Sequence, residues 1–537
     1  MRFASAIVAL LAIAASITSI TNGFALDDLP IIVKNDAVHS VSGIFALFFQ
    51  PYWPPEFGQS LYRPLTSAAF AVQWAAGNGS PLPFHLMSIA LYAAVSTGVY
   101  RLAGKFMSAE AALIAGALFA VHPLHVEAVA NVVGQAELWS GLLLVTALTI
   151  FIEARGNDSL GAGKTASIAA LYVMALLFKE SAIVLPGLIV AAELILPDSR
   201  ASRQRLRRSM PVLAASASVA IAFLFVRTSV LGSFTGGGAA TVLAGQEYST
   251  RFFTMLGVMP EWLRLFTWPA SLSADYSPPR VTTETSFRLS MMPVIAVVVA
   301  LAAIAVKVRR GHPALTFAVA LTGIALLIPS NLVIVTGFAL AERALFLPTV
   351  GFAIGVGYGI AAIQAMISAR EKRLVLAVTS ALFAAGLARS ATRAPVWKDN
   401  ETLFRQTVSD VPLSYRAHMR LGELLTDKGD TAEGLTELAI AVSLSRSQDY
   451  FVRWFAADRF HAAGQLEIAA GYYKEALALK PTDARVRYGA AVALGSLGRV
   501  AEARALAAEG LEQDPADARF AQIVHRMDSI GTKHPGA

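Results

Sequence analysis

From Phe3 to Gly23 the chain carries no charged residue, and ten further apolar stretches follow before residue 390. A stretch of about 20 apolar residues matches a hydrocarbon core about 30 Å thick. Inside that core each backbone polar group must bond within its own segment, which selects helices. The later stretches run from 83 to 101, 109 to 126, 137 to 154, 165 to 178, 181 to 196, 210 to 227, 290 to 306, 314 to 329, 344 to 366 and 374 to 390. With the first, they predict an all-α bundle of about 11 transmembrane helices over 1–390. A chain of 537 residues that is 55% hydrophobic and 15% charged, with a mean hydropathy of +0.56, is too apolar for one soluble domain.

Arg2 ahead of the first run also fits a cleaved signal peptide, but the run is longer than a signal core usually is, so a retained helix is expected. The formal charge of +7 sits in short loops between apolar runs, which marks topology and argues against nucleic acid as a partner. Arg101 with Lys105, the cluster Arg200, Arg203, Arg205, Arg207 and Arg208, then Lys307, Arg309 and Arg310, and finally Arg370, Lys372 and Arg373 are expected to face the cytoplasm. That alternation puts the N-terminus inside and everything after residue 390 outside. It also turns Phe252 to Pro269 into an interfacial or re-entrant helix, with Trp262 and Trp268 at headgroup depth, and leaves two large outer loops at about 24–82 and 228–289. Cysteine is absent, which excludes disulfides, thiolate nucleophiles and cysteine metal sites.

After residue 390 the pattern changes to Ala, Leu, Arg and Glu with helical spacing. Gly464 recurs as Gly498, Ala469 as Ala503 and Pro481 as Pro515, at an interval of 34 residues. Small residues where paired helices touch, and a proline closing each unit, are the tetratricopeptide pattern. An earlier unit around Leu421, Gly422, Gly429 and Ala441 fits after a one-residue slip. Three units and a closing helix near 517–530 predict a C-terminal α-solenoid over 391–537, with one groove for a protein or peptide, or for dimerisation.

Polar residues at membrane depth are costly and tend to line a cavity. By the topology above, Asp27 and Asp28, Arg63, His85, His122, His125, Glu127, Glu137, Lys179, Glu180, Glu342 and Arg343 all fall at the outer leaflet. Each also has a plain reading: the Asp pair as a solvated turn before Pro30, Lys179-Glu180 as a self-neutralising hairpin cap, Glu342-Arg343 as an ion pair at a helix start. His122 and His125 match no compact zinc spacing, and no metal or other cofactor is expected, although an Asp pair can serve as base or as metal ligand.

The chain resembles the transmembrane and tetratricopeptide-repeat O-mannosyltransferases and their bacterial relatives, within the GT-C class of polyprenyl-phosphate-sugar glycosyltransferases. The resemblance rests on Leu26-Asp27-Asp28, Tyr62-Arg63-Pro64-Leu65-Thr66, Phe84-His85-Leu86, the block from Phe119 through His122-Pro123-Leu124-His125-Val126-Glu127 to Val129, Lys179-Glu180, and Ala341-Glu342-Arg343-Ala344-Leu345-Phe346-Leu347-Pro348. One departure stands out. Where such proteins often carry an arginine followed closely by an acid, this chain reads Gly134-Gln135-Ala136-Glu137.

The resemblance implies a GT-C-like membrane domain that transfers a hexose such as mannose from a polyprenyl-phosphate donor to a hydroxyl, Ser or Thr of an exported protein, with inversion. It makes Asp27 the first candidate base, with Asp28 the alternate or an orienting partner. Arg63, Lys179 and Arg343 become phosphate contacts, and His85, His122, His125, Glu127, Glu180 and Glu342 shape the donor pocket. The implied setting is a bacterial inner membrane with periplasmic repeats, or an endoplasmic reticulum membrane with lumenal repeats. Two rivals remain: a non-catalytic membrane scaffold that recruits envelope proteins through its repeats, and a lipid-linked sugar transferase acting on a glycan or lipid.

Overall fold

The computed structural model describes residues 2–58, 60–197, 202–233, 242–445 and 449–531. Arg200 of the expected basic cluster, and 234–241 of the expected outer loop, lie outside the described residues. Among the described residues all regular structure is helical. Two compact units are present, one formed by Met1–Tyr276 with Arg280–Leu403 and the other by Phe404–Ala537 with Ser277–Pro279. The division expected after residue 390 falls inside the helix Ala369–Arg393. That helix runs on into a short turn whose Trp397 is 2% exposed and anchors it to the first unit.

Every expected apolar stretch has a helix in its place, but their lengths differ in a way that composition does not show. Seven helices are long and apolar enough to cross a membrane: Phe3–Thr21, Leu82–Ala103, Val132–Gly156, Arg203–Leu231, Leu289–Val308, Pro348–Met366 and Ala369–Trp397. An eighth passes only as a pair, Ala109–Val121 with Pro123–Ala130, bent by 48°. The remaining three, Ala162–Phe178, Leu185–Ile195 and Pro313–Ala325, have 17, 11 and 13 residues. The expected count of 11 therefore resolves into seven full-length helices, one broken pair and three short helices among the described residues. Hydropathy windows merge a short helix with the apolar turn beside it, which is why the sequence made them look alike.

The bend sits at His122, and its cause is local. Pro123 has no N–H, so the helix ladder stops, and the freed carbonyls need other donors. Tyr92 donates its hydroxyl to the carbonyl of Phe119 at 2.8 Å, and Ser390 donates to that of Val121 at 3.1 Å. Helices approach closely where side chains vanish. A Cβ on Gly357 would lie 2.6 Å from the carbonyl oxygen of Ala111, so Pro348–Met366 packs backbone to backbone on Ala109–Val121.

The helix Tyr248–Thr267 occupies the segment expected at the interface. Trp268 is exposed, but Trp262 turns inward: Met255, Val258, Trp262 and Leu265 form a stripe at helical spacing and are all buried in one apolar cluster. Trp262 is thus a core residue that faces the protein interior and not lipid.

In the second unit three helix pairs follow one another, 415–428 with 431–444, 450–462 with 466–479, and 484–496 with 500–513, closed by 518–531. The pairs turn on Gly429, Gly464 and Gly498, with φ of 96°, 76° and 77°, a left-handed conformation that explains why glycine recurs there. Ala456, Ala469 and Ala503 are fully buried between helices.

Candidate functional site

The first unit gathers eight of the sequence-selected charged residues, Glu137 among them, from five separate stretches of chain. Asp27 and Asp28 follow the first helix through Leu26, whose φ of +52° is strained for a residue with a side chain. The Leu26 N–H donates to Asn400 Oδ1 at 2.6 Å, which holds that strained residue in place. The two aspartates then part company. Asp28 is 1% exposed, and its carboxylate accepts the backbone N–H groups of Ala25 at 3.2 Å, Val132 at 3.3 Å and Val133 at 2.8 Å. Burial pushes its carboxyl up to about 7 against the pull of those three donors. Asp27 keeps 22% of its side chain exposed and meets Arg343 at 2.9 Å.

Arg343 carries a second carboxylate. Its Nε stands 3.5 Å from Glu127 Oε1, and its backbone N–H donates to Glu127 Oε2 at 3.0 Å. A parallel pair lies nearby: Arg63 donates through Nε and Nη2 to Glu180 at 2.9 and 2.5 Å, a bidentate fork. Burial alone would raise the Glu180 carboxyl, but Arg63 holds it well below the usual carboxylate range. Lys179 pairs with Glu137. Four carboxylates and three cations are thus interleaved, with Asp27, Arg63, Glu180 and Arg343 keeping part of their side chains exposed.

The three histidines hold the surrounding fold. His85 is fully buried and donates Nε2–H to the Gly23 carbonyl at 3.1 Å, tying the Leu82–Ala103 helix to the end of the first. His122 accepts the Leu124 N–H on Nδ1 and donates Nε2–H to the Phe266 carbonyl at 3.0 Å. His125 sits between the Tyr92 hydroxyl and Phe119 carbonyl on one side, each at 3.0 Å, and the Thr349 hydroxyl at 2.6 Å on the other. Glu342 turns away from its neighbour Arg343 and accepts the Ser273 N–H at 2.6 Å and the Tyr276 O–H at 2.7 Å. Burial, then the charge of Glu127, pushes the Glu342 carboxyl up to about 8.

Where the sequence departs from the pattern of the proteins it resembles, Gln135 is fully buried and exchanges amide bonds with Gln73 at 3.0 and 2.9 Å. Its Nε2 also donates to the Phe84 carbonyl at 2.9 Å, so a neutral, satisfied pair stands there. Glu137 was legible as one of the outer-leaflet charges, but its partner was not: such a charge requires a counter-charge, which Lys179 supplies. Among the described residues no three His, Asp or Glu side chains are arranged to hold a metal ion.

The tetratricopeptide repeat model matches residues 460–526. Over the longer span, a protein O-mannosyl-transferase of Caenorhabditis elegans is 27% identical across 79% of this chain and 60% of its own length. Protein O-mannosyl-transferase TMTC4 of Homo sapiens is 26% identical across 80% of this chain and 64% of its own. TMTC3 of Mus musculus is 28% identical across 63% and 40%. The chain matches the transmembrane and tetratricopeptide-repeat protein O-mannosyl-transferases. It spans about three-fifths of the length of the O-mannosyl-transferases from worm and human. Among solved structures, the APC/C hetero-tetramer Cut9-Hcn1 aligns with 86% of this chain and 89% of that one at 14% identity, but a TM-score of 0.25 carries no argument.

Proposed function

We propose that this chain is an integral-membrane glycosyltransferase that moves mannose or a similar hexose from a polyprenyl phosphate to a Ser or Thr hydroxyl of an exported protein. The observation that carries the reading is the partly exposed Asp27–Arg343 pair, with Arg63 and Lys179 in the same network. A base and three cations in one place supply what the step needs.

In this reading the acceptor oxygen attacks the anomeric carbon while the bond from that carbon to the phosphate oxygen breaks. The bonding pair leaves with the phosphate, and the hydroxyl proton goes to Asp27. Attack opposite the leaving group inverts the anomeric centre. Arg343 faces both Asp27 and Glu127, so it can turn toward the donor phosphate while Glu127 still steadies its backbone. Arg63 and Lys179 add positive charge as the phosphate departs. Asp28 positions the loop and does not take the proton. The three histidines and Glu342 hold the walls. The repeats bring the acceptor to the outer face of a bacterial inner membrane, or to the lumenal face of the endoplasmic reticulum.

The experiment is to incubate purified protein with a panel of polyprenyl-phosphate sugars and a Ser/Thr peptide, and to measure released polyprenyl phosphate and glycopeptide. Release with one donor and a β- or α-product opposite to the donor's anomer supports the reading. No release from any donor, with envelope proteins still retained by the repeats, replaces it with the scaffold.

A further inference from the structure

Tyr52 belongs to none of the motifs above, yet it stands inside the charged network. Its backbone N–H donates to the Leu61 carbonyl at 2.8 Å, and Trp53 N–H to that of Ser60 at 3.2 Å, so the loop folds back on itself just before Arg63. The Arg63 guanidinium carbon then lies 5.3 Å from the centre of the Tyr52 ring, a cation–π contact. Asp27 and Arg343 are also within electrostatic reach of the phenol.

The side chain is 2% exposed, and its hydroxyl has no hydrogen-bond partner. A buried hydroxyl left unpaired costs about 1–3 kcal/mol, and buried tyrosines usually find a partner. Tyr92, Tyr172 and Tyr276 all do, donating to Phe119, Ile183 and Glu342. A second group beside Asp27 is orphaned in the same way: Nη1 of Arg343 is buried without a partner while its Nη2 holds Asp27. One unused donor thus belongs to the side chain that holds the candidate base, and the other lies within electrostatic reach of that base and of two guanidinium groups. Each guanidinium already faces a carboxylate, yet an anionic oxygen brought there gains from both cations as well as from the two unused donors, which a neutral sugar hydroxyl does not.

We propose that Tyr52 donates its O–H, together with Nη1 of Arg343, to the departing phosphate oxygen of the polyprenyl-phosphate sugar. This rests on the glycosyltransferase reading and adds a neutral donor to its cations. Tyr52 keeps its proton throughout: the acceptor's proton goes to Asp27, and the electron pair of the broken bond stays on the phosphate oxygen that the phenol bonds. The hydrogen bond strengthens as that oxygen gains charge, so it acts mainly on the transition state.

The test is Tyr52→Phe in the full-length protein, which keeps the ring over which Arg63 sits and removes only the hydroxyl. With donor concentration varied, kcat should fall roughly 10- to 100-fold, the worth of a hydrogen bond to a charged group, while KM for the donor changes little. The melting temperature should hold or rise, because an unpaired buried hydroxyl has been removed. An active wild type with an equally fast Tyr52→Phe overturns the proposal, as does a slower variant whose melting temperature drops in parallel. A wild type inactive with every donor removes the glycosyltransferase reading itself. If Tyr52→Phe does not fold, 3-fluorotyrosine placed at position 52 decides: the same shape with a more acidic phenol should change kcat, and an unchanged kcat overturns the proposal.

Discussion

Asp27 and Arg343 are 316 positions apart in the chain and meet at 2.9 Å. Asp28, one residue from Asp27, spends its whole carboxylate on three backbone N–H groups. The two neighbours therefore respond differently to the same substitution. Asp27→Asn keeps the shape but loses basicity, and transfer should fall by roughly two to four orders of magnitude in a folded protein. Asp28→Asn turns an NH2 group toward an N–H donor and should lower stability by about 1–3 kcal/mol, with activity following only the folded fraction. Paired kinetics and thermal melts of the two variants separate these outcomes; full activity in Asp27→Asn would dismiss it as the base.

Arg63→Ala strands Glu180, its bidentate partner, at the edge of the site. Donor KM should rise, because a phosphate contact acts on ground and transition states alike. Arg63→Ala combined with Glu180→Gln should recover stability without recovering donor affinity. Recovery of both would make the pair purely structural.

Glu342 has a carboxyl raised to about 8 by burial and by Glu127. A raised folded-state value means that its contribution to stability is complete below the ordinary carboxylate range and is lost as pH rises through about 8. The wild-type melting temperature should therefore fall between pH 6 and pH 9 more than that of Glu342→Gln, which can still accept from Ser273 and Tyr276. Parallel curves for the two proteins would contradict this.

The repeats yield a prediction about substrates. Deleting residues 411–537 should spare transfer to a short peptide and sharply reduce transfer to a full-length protein acceptor. Equal loss on both would assign the repeats a structural role.

Topology is open to a direct assay. If the region beyond Arg393 lies outside, as the distribution of basic loops implies, protease added to right-side-out vesicles should trim it. Cleavage only after lysis would reject the shared outer-leaflet site.

Helix positions and the repeat unit were legible because they depend on local periodicity, as Gly464 and Gly498 show in their left-handed turns. The charged candidates were legible as a set, because acids and bases are rare in apolar surroundings and each needs a counter-charge. Their division of labour was not. Nothing in Asp27-Asp28 or Glu342-Arg343 tells which member faces the network, because that depends on a φ of +52° at Leu26 and on loop residues 273 and 276, distant in sequence. The histidine block looked like ligand-binding chemistry for a related reason. A proline break in an apolar helix frees carbonyls, and here imidazole, phenol and serine hydroxyl groups satisfy them in place.

The short helices have a consequence for the lipid around them. Leu185–Ile195 begins five residues after Glu180 and packs against Pro313–Ala325. At 1.5 Å per residue the two reach only about 17 and 20 Å, against about 30 Å of hydrocarbon. If the two cross the membrane unaided, hydrophobic mismatch of that size would thin the bilayer on this flank. In the proposed reaction a lipid-borne headgroup arriving there would then sit nearer Arg63 and Glu180, and turnover should depend on the acyl-chain length of the host bilayer.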